Sequence, residues 1–172
     1  MPRRAAGGTL ALMRFQLKQK LLSIGDDFWI EDEDGQKVFK VDGKAMRLRD
    51  TFVLEDREGH ELAKIKEKKL SLRDTMKVER GGHTVATVHK RRLGIRDRFH
   101  VDVADGEDLD AKGNFVDHEY EIKRDGDVIA TVSKKWFRMR DTYGIDVRDG
   151  EDAPLILALT VAIDDLSHDR GG

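Results

Sequence analysis

An all-β domain with one helix is the fold class this sequence predicts: a closed antiparallel barrel of about twelve strands around a central apolar helix near the C-terminus. Three observations point there. Short apolar segments recur between polar, Gly-containing turns. A hydrophobic residue followed by Arg-Asp returns at near-regular spacing. One segment, Ala153 to Ile163, is apolar except for Thr160 and breaks the β alternation.

The N-terminal residues 1–12, with Pro2, Gly7 and Gly8, lack alternation and read as a flexible extension, with Met13 a candidate natural start. Leu10-Ala11-Leu12-Met13 is too short for a signal peptide and is broken by Arg14. The barrel domain is expected over 13–166, with 167–172 as a tail. At 172 residues one domain is expected, long enough to bury a core without staples.

The repeated step occurs at Leu48-Arg49-Asp50, Leu72-Arg73-Asp74, Ile95-Arg96-Asp97 and Met139-Arg140-Asp141, with 24, 23 and 44 residues between successive arginines. Strand-like segments follow: Phe52-Val53-Leu54, Met76-Lys77-Val78, Phe99-His100-Val101, Tyr143-Gly144-Ile145. Hairpin signals appear at Asp34-Gly35, Glu58-Gly59, Gly81-Gly82 and Asp125-Gly126, because Gly accepts the positive φ of tight primed turns. A second apolar run comes after each turn, and a third short strand is expected to lead back to Arg-Asp. Units of about 23 residues then form a meander, with one degenerate unit or longer loop between Val103 and Asn114. A propeller blade needs four strands and about 40 residues, which does not fit. In the Arg-Asp steps the Asp is expected to bond nearby backbone in a turn while the Arg points outward.

Asp152 can cap the apolar helix and Pro154 suits its first turn. About 11 residues span roughly 17 Å, too short for a bilayer, and a helix hydrophobic on every face must be buried on every face. A surface helix on a sandwich would need a polar face that this one lacks. A barrel of about twelve strands is wide enough to hold it, and closure removes the meander's edges.

Other residues resemble a known family. Met13-Arg14-Phe15 through Gln19-Lys20-Leu21-Leu22-Ser23-Ile24-Gly25-Asp26-Asp27-Phe28, the Arg-Asp-Thr steps and Lys134-Lys135-Trp136 make residues 13–166 similar to the LURP-one-related family. That resemblance implies the tubby C-terminal fold shared with phospholipid scramblases, a twelve-stranded barrel around a central helix. It implies little about activity, since fold does not fix function.

Charge narrows the partners. The 32 Lys and Arg balance 34 Asp and Glu, alternating locally, which is a solvated surface rather than a nucleic-acid arm. No apolar run approaches a membrane span, so a cytoplasmic protein, peripheral to the membrane at most, is expected. Zero Cys removes disulfides, thiolate zinc sites and a Cys nucleophile. His60, His83, His89, His100, His118 and His168 show no tight metal spacing and read as solvent or turn residues, so no metal and no cofactor are expected. The acidic clusters Asp32-Glu33-Asp34 and Glu107-Asp108-Leu109-Asp110 lack the ligand spacing of an EF-hand loop. Neither a Gly-x-Ser-x-Gly elbow nor a phosphate-cradling loop is present, and no catalytic residues are assigned.

The residues with most functional content are Lys90-Arg91-Arg92 and Lys134-Lys135-Trp136 with Arg138. Clustered cations beside an amphipathic aromatic suit anionic lipid head groups, and both sets are expected on one rim of the barrel. The expected function is a non-enzymatic binding or scaffold domain at an anionic membrane surface. The alternatives are a protein-interaction platform and, last, an enzyme.

Overall fold

Alternating apolar residues, placed in register across neighbouring strands, decide how this chain closes. The computed structural model describes residues 11–18, 27–43, 51–68, 75–93, 96–137 and 142–168. Its strands are β1 (Leu12–Lys18), β2 (Phe28–Asp32), β3 (Lys37–Asp42), β4 (Thr51–Asp56), β5 (Glu61–Glu67), β6 (Thr75–Arg80), β7 (His83–Leu93), β8 (Arg96–Val103), β9 (Leu109–Asn114), β10 (Glu119–Arg124), β11 (Asp127–Ser133) and β12 (Thr142–Arg148); the helix α1 (Ala153–His168) follows. Each strand pairs antiparallel with its sequence neighbours, and β1 pairs with both β2 and β12, so the barrel closes as expected.

Inward positions meet inward positions around the ring. Val41 faces Leu54, Ile65 faces Val78, Val88 faces Val101, Ala111 faces Ile122 and Val132 faces Ile145. All ten are buried. Ala63, Ala86, Ala111 and Ala130 interrupt the larger residues and leave room for the helix. The outer wall is charged, as where Lys66 meets Glu79 at 2.7 Å. Apolar inside and charged outside is the inverse of a barrel embedded in lipid.

The repeat differs from expectation in one respect. The unit has two strands, not three: β4 with β5 fills the first 24-residue interval and β6 with β7 the next. No separate third strand leads back to Ile95-Arg96-Asp97: β7 runs unbroken for 11 residues and takes in Lys90-Arg91-Arg92. A bulge recurs just before the turn in four hairpins, after Ile30, Leu54, Val78 and Ile122. Arg49-Asp50, Arg73-Asp74 and Arg140-Asp141 lie outside the described residues; Asp97 of the remaining step stands 3.6 Å from Lys90 Nζ.

The helix is longer than the apolar run that announces it, ending at His168 rather than Ile163. Ile156 to Asp164 are all buried, which places α1 in the barrel's interior, nearest β5, β6 and β7. At the other extremity β1 takes in Leu12, and the Ala11 carbonyl accepts the Asp149 N–H at 2.9 Å. Leu12, the last residue of the expected extension, therefore belongs to the barrel wall, and Ala11 is tied to the link after β12 by that bond.

The barrel has two unlike ends. At the turn end lie the Gly hairpins and the β12–α1 link. Asp32 Oδ1 accepts the N–H groups of Asp34 and Gln36, and Asp56 Oδ1 accepts those of Glu58 and His60, giving the same turn twice. Asp152 caps α1 by accepting the Leu155 N–H at 3.1 Å. Its carboxylate also accepts from Arg80 Nη1 and Nη2 at 2.6 and 2.9 Å, joining the link to β6, halfway round the ring from β12. Glu151 is gripped by Arg124 through two 2.9 Å bonds and by Arg148 at 3.0 Å. These arginines hold the Glu151 and Asp152 carboxyls below their ordinary range, with Arg124 and Arg80 the largest influences. The far end carries the β7–β8, β9–β10 and β11–β12 connections and the C-terminus of α1.

Candidate functional site

The far end combines an interior polar group with an outer rim of cations and aromatics. Inside, the sequence places Asp164 one residue beyond the apolar run, still within the barrel. Its Oδ2 accepts the Tyr143 hydroxyl at 2.5 Å and stands 3.4 Å from His118 Nε2. His118 is a turn residue, as one of the two expected readings had it, but it is fully buried rather than solvent-facing. It closes the β9–β10 connection at φ 53°, a left-handed conformation that costs a non-glycine residue about 1 kcal/mol or more. The ring stacks on Tyr143 at 4.2 Å and on His168 at 5.5 Å between centroids. Burial, and then the Asp164 charge, push the Tyr120 and Tyr143 hydroxyls well above 10.0, so both stay protonated. An acid, an imidazole and two phenols are the parts of acid–base chemistry. Here they are sealed among core residues at 0 to 3% exposure, and the arrangement locks α1 to β12 and the β9–β10 turn.

Lys90 belongs to this interior, not to the rim. Its Nζ donates to the Leu166 carbonyl at 2.9 Å, and the side chain is only 6% exposed. A cation there satisfies a last-turn carbonyl and complements the helix dipole. Alternation along β7 then turns Arg91 outward, where it is exposed directly opposite Arg98 of β8, also exposed. Sequence reading missed Arg98. The signal was the hairpin register, which needs the length of the β7–β8 connection. Two arginines in direct cross-strand opposition repel each other unless an anion lies between them.

The second cluster is held by Glu119 of β10. Its carboxylate accepts the Ser133 hydroxyl at 2.8 Å and the Lys134 N–H at 2.9 Å, while Ser133 Oγ accepts the Lys135 N–H at 3.1 Å. Phe137 N–H donates back to the Lys134 carbonyl at 3.1 Å, closing a tight turn. The turn folds Trp136 and Phe137 against the outer face of β12. A Cβ on Gly144 would stand 2.7 Å from Trp136 and 2.8 Å from Phe137, so glycine is needed there. Arg14, forked onto Asp146 by two 2.7 Å bonds, lies 4.5 Å over the indole. Trp136 remains 36% exposed, and Lys135 is exposed beside it. Val116 of the β9–β10 connection, 63% exposed, lies at the same end.

Of the predicted set, the fold brings Lys134, Lys135 and Trp136 together and puts Arg91 at the same end. It withdraws Lys90 into the interior. Arg138 and the Arg92 side chain lie outside the described residues. Between β7 and β11 stand three strands, so Arg91 and Lys134 are separated by about 19 Å around the wall, four strand spacings. They form two arms of a rim, not one patch. Among the described residues no helix is long and apolar enough to cross a membrane.

Comparison with known proteins gives two findings. A family profile described as LURP-one-related matches residues 13–164. The X-ray structure of an Arabidopsis thaliana protein superposes with a TM-score of 0.69 over 92% of this chain and 93% of that one, at 22% identity, which shows a shared fold. No curated protein matches the chain by sequence.

Proposed function

The chain belongs to the LURP-one-related family, and we propose that it is a non-enzymatic binding module that docks by the far end of its barrel on anionic phospholipid head groups. One observation carries this reading: a turn fixed by Glu119 presents Lys134, Lys135 and a part-exposed Trp136 together. An indole with one face on protein and its edge in water suits the head-group layer, and adjacent ammonium groups suit its charge. The exposed Arg91–Arg98 pair supplies the second arm, with an unfavourable repulsion that phosphate would relieve. Pre-ordering matters because a turn already held by hydrogen bonds loses little conformational entropy on docking.

Co-sedimentation with phosphatidylcholine vesicles, with and without phosphatidylserine, tests the proposal. The wild-type chain is expected to sediment only with the anionic vesicles, and to be released as salt shortens the electrostatic reach to about 8 Å near physiological strength. Lys134→Ala with Lys135→Ala removes about 2 kcal/mol of attraction, roughly a thirtyfold loss in partitioning. Absence of wild-type sedimentation at low salt would overturn the lipid reading and favour the protein-interaction platform.

A further inference from the structure

Around the outer wall from Trp136, strands β7, β8 and β9 place two histidines and three aspartates in one cluster. His89 and His100 are cross-strand partners, and His100 is in turn opposite Asp110. Asp102 stands two residues beyond His100 on the same face of β8, and Asp108 arrives from the β8–β9 turn. We propose that His89, His100, Asp102 and Asp108 form a binding site for a divalent transition metal, with Zn²⁺ the best match.

The distances suit a metal rather than a set of simple ion pairs. His100 Nε2 is approached by two carboxylate oxygens, Asp102 Oδ1 at 3.0 Å and Asp108 Oδ2 at 3.6 Å. A single ring N–H cannot serve both. The ligand atoms of His100, Asp102 and Asp108 all lie within 4.8 Å of one another. Tetrahedral zinc with bonds of about 2.0–2.2 Å separates its ligands by about 3.3–3.6 Å, and the two His100 Nε2 separations, 3.0 and 3.6 Å, bracket that spacing. His89 Nε2 reaches the other Asp102 oxygen at 2.6 Å, a contact that lengthens if the carboxylate turns to share a cation.

Each prospective ligand is also oriented from behind. Asp110 Oδ1 lies 3.0 Å from His100 Nδ1, and Thr75 Oγ1 lies 3.5 Å from His89 Nδ1. Oxygens at both Nδ1 atoms leave both Nε2 atoms to face Asp102. The Val103 N–H donates to Asp108 Oδ1 at 3.1 Å, so its Oδ2 is the one turned to His100. A carboxylate behind a ligating imidazole is the arrangement that raises ligand basicity in zinc sites. Charge points the same way, because three carboxylates against two imidazoles leave an anionic excess that a dication relieves. Two nitrogen donors favour zinc over calcium or magnesium, which prefer oxygen.

The other acidic group, Asp56, Glu58 and His60, is different. Its ligand atoms also lie within 4.8 Å of one another, but it offers a single imidazole, and both Asp56 oxygens are engaged by the turn's own N–H groups and by His60.

Calorimetric titration of ZnCl₂ into the full chain, free of any polyhistidine tag and stripped with chelator, tests the site. One equivalent is expected to bind with a dissociation constant of micromolar or tighter. His100→Ala and Asp102→Asn should each weaken it at least 100-fold, and Asp110→Asn, acting through His100, about 10- to 100-fold. His60→Ala should leave it unchanged. Circular dichroism and melting of the metal-free variants confirm that the outer-wall changes leave the barrel folded. Binding weaker than about 100 μM, or binding that survives His100→Ala, would overturn the proposal. So would loss with His60→Ala alone, which would put the ion at the turn instead.

Discussion

The turn end and the far end of this barrel are built from opposite materials. At the turn end, two-residue and Asp-bracketed turns close the hairpins, and three arginines clamp the β12–α1 link from outside. The charged groups there are paired in ion pairs near the surface, some local and one, Arg80 with Asp152, reaching across the ring. At the far end the polar groups that matter are buried: Lys90 on the helix carbonyl, Asp164 against Tyr143, His118 with a strained backbone. One end is held by surface chemistry and the other by interior chemistry. The exposed Arg91, Arg98, Lys135 and Trp136 then stand on the end whose interior is locked.

This difference also decides what was legible in the sequence. Gly35, Gly59, Gly81, Gly82 and Gly126 all have positive φ, so a rule about one residue located the turns and through them the strands. The central helix was legible because Leu155 to Leu159 left no polar face. The far end resists such reading. Lys90 and Arg91 look alike in sequence, and only strand alternation sends one inward and the other outward. Asp164 looks like the start of a polar tail, yet helical geometry carries it into the core beside a tyrosine 21 residues earlier. His89 and His100 acquire a relation only through the β7–β8 register. Pairwise placement, not residue type, is what sequence reading lacked.

The largest expected effect falls on the element that joins the ends. Leu157 is fully buried in mid-helix. Leu157→Asp places an unpaired carboxylate among apolar walls at a cost of several kcal/mol and should abolish folding into the native barrel. A soluble variant with wild-type melting would break the central-helix account and with it the comparison.

A smaller effect is expected at the far end. Asp164→Leu leaves the Tyr143 hydroxyl buried without its acceptor, a loss of about 1–3 kcal/mol. Adding Tyr143→Phe removes that stranded donor, and the double variant should recover part of the loss in chemical denaturation. If the two losses simply add, the interior pair does not lock this end.

The smallest effect belongs to the turn end and depends on pH. Glu151 is mostly buried, and its arginines, Arg124 first, lower its pKa from the ordinary 4.5. A carboxyl depressed in the folded state binds protons more readily when unfolded. Its stabilisation is therefore complete above pH 4.5 and is lost as pH falls from there through the folded-state value. Glu151→Gln, which has no charge to lose, should melt about 2–4 °C below wild type at pH 7, equivalent to on the order of 1 kcal/mol. That gap should close as both proteins are taken toward pH 3. A gap that persists in acid would mean that Glu151 acts through shape and neutral hydrogen bonds. A gap that closes between pH 7 and pH 5 would implicate a histidine instead. Only closure below 4.5 identifies the ionic clamp as what holds the turn end to the helix.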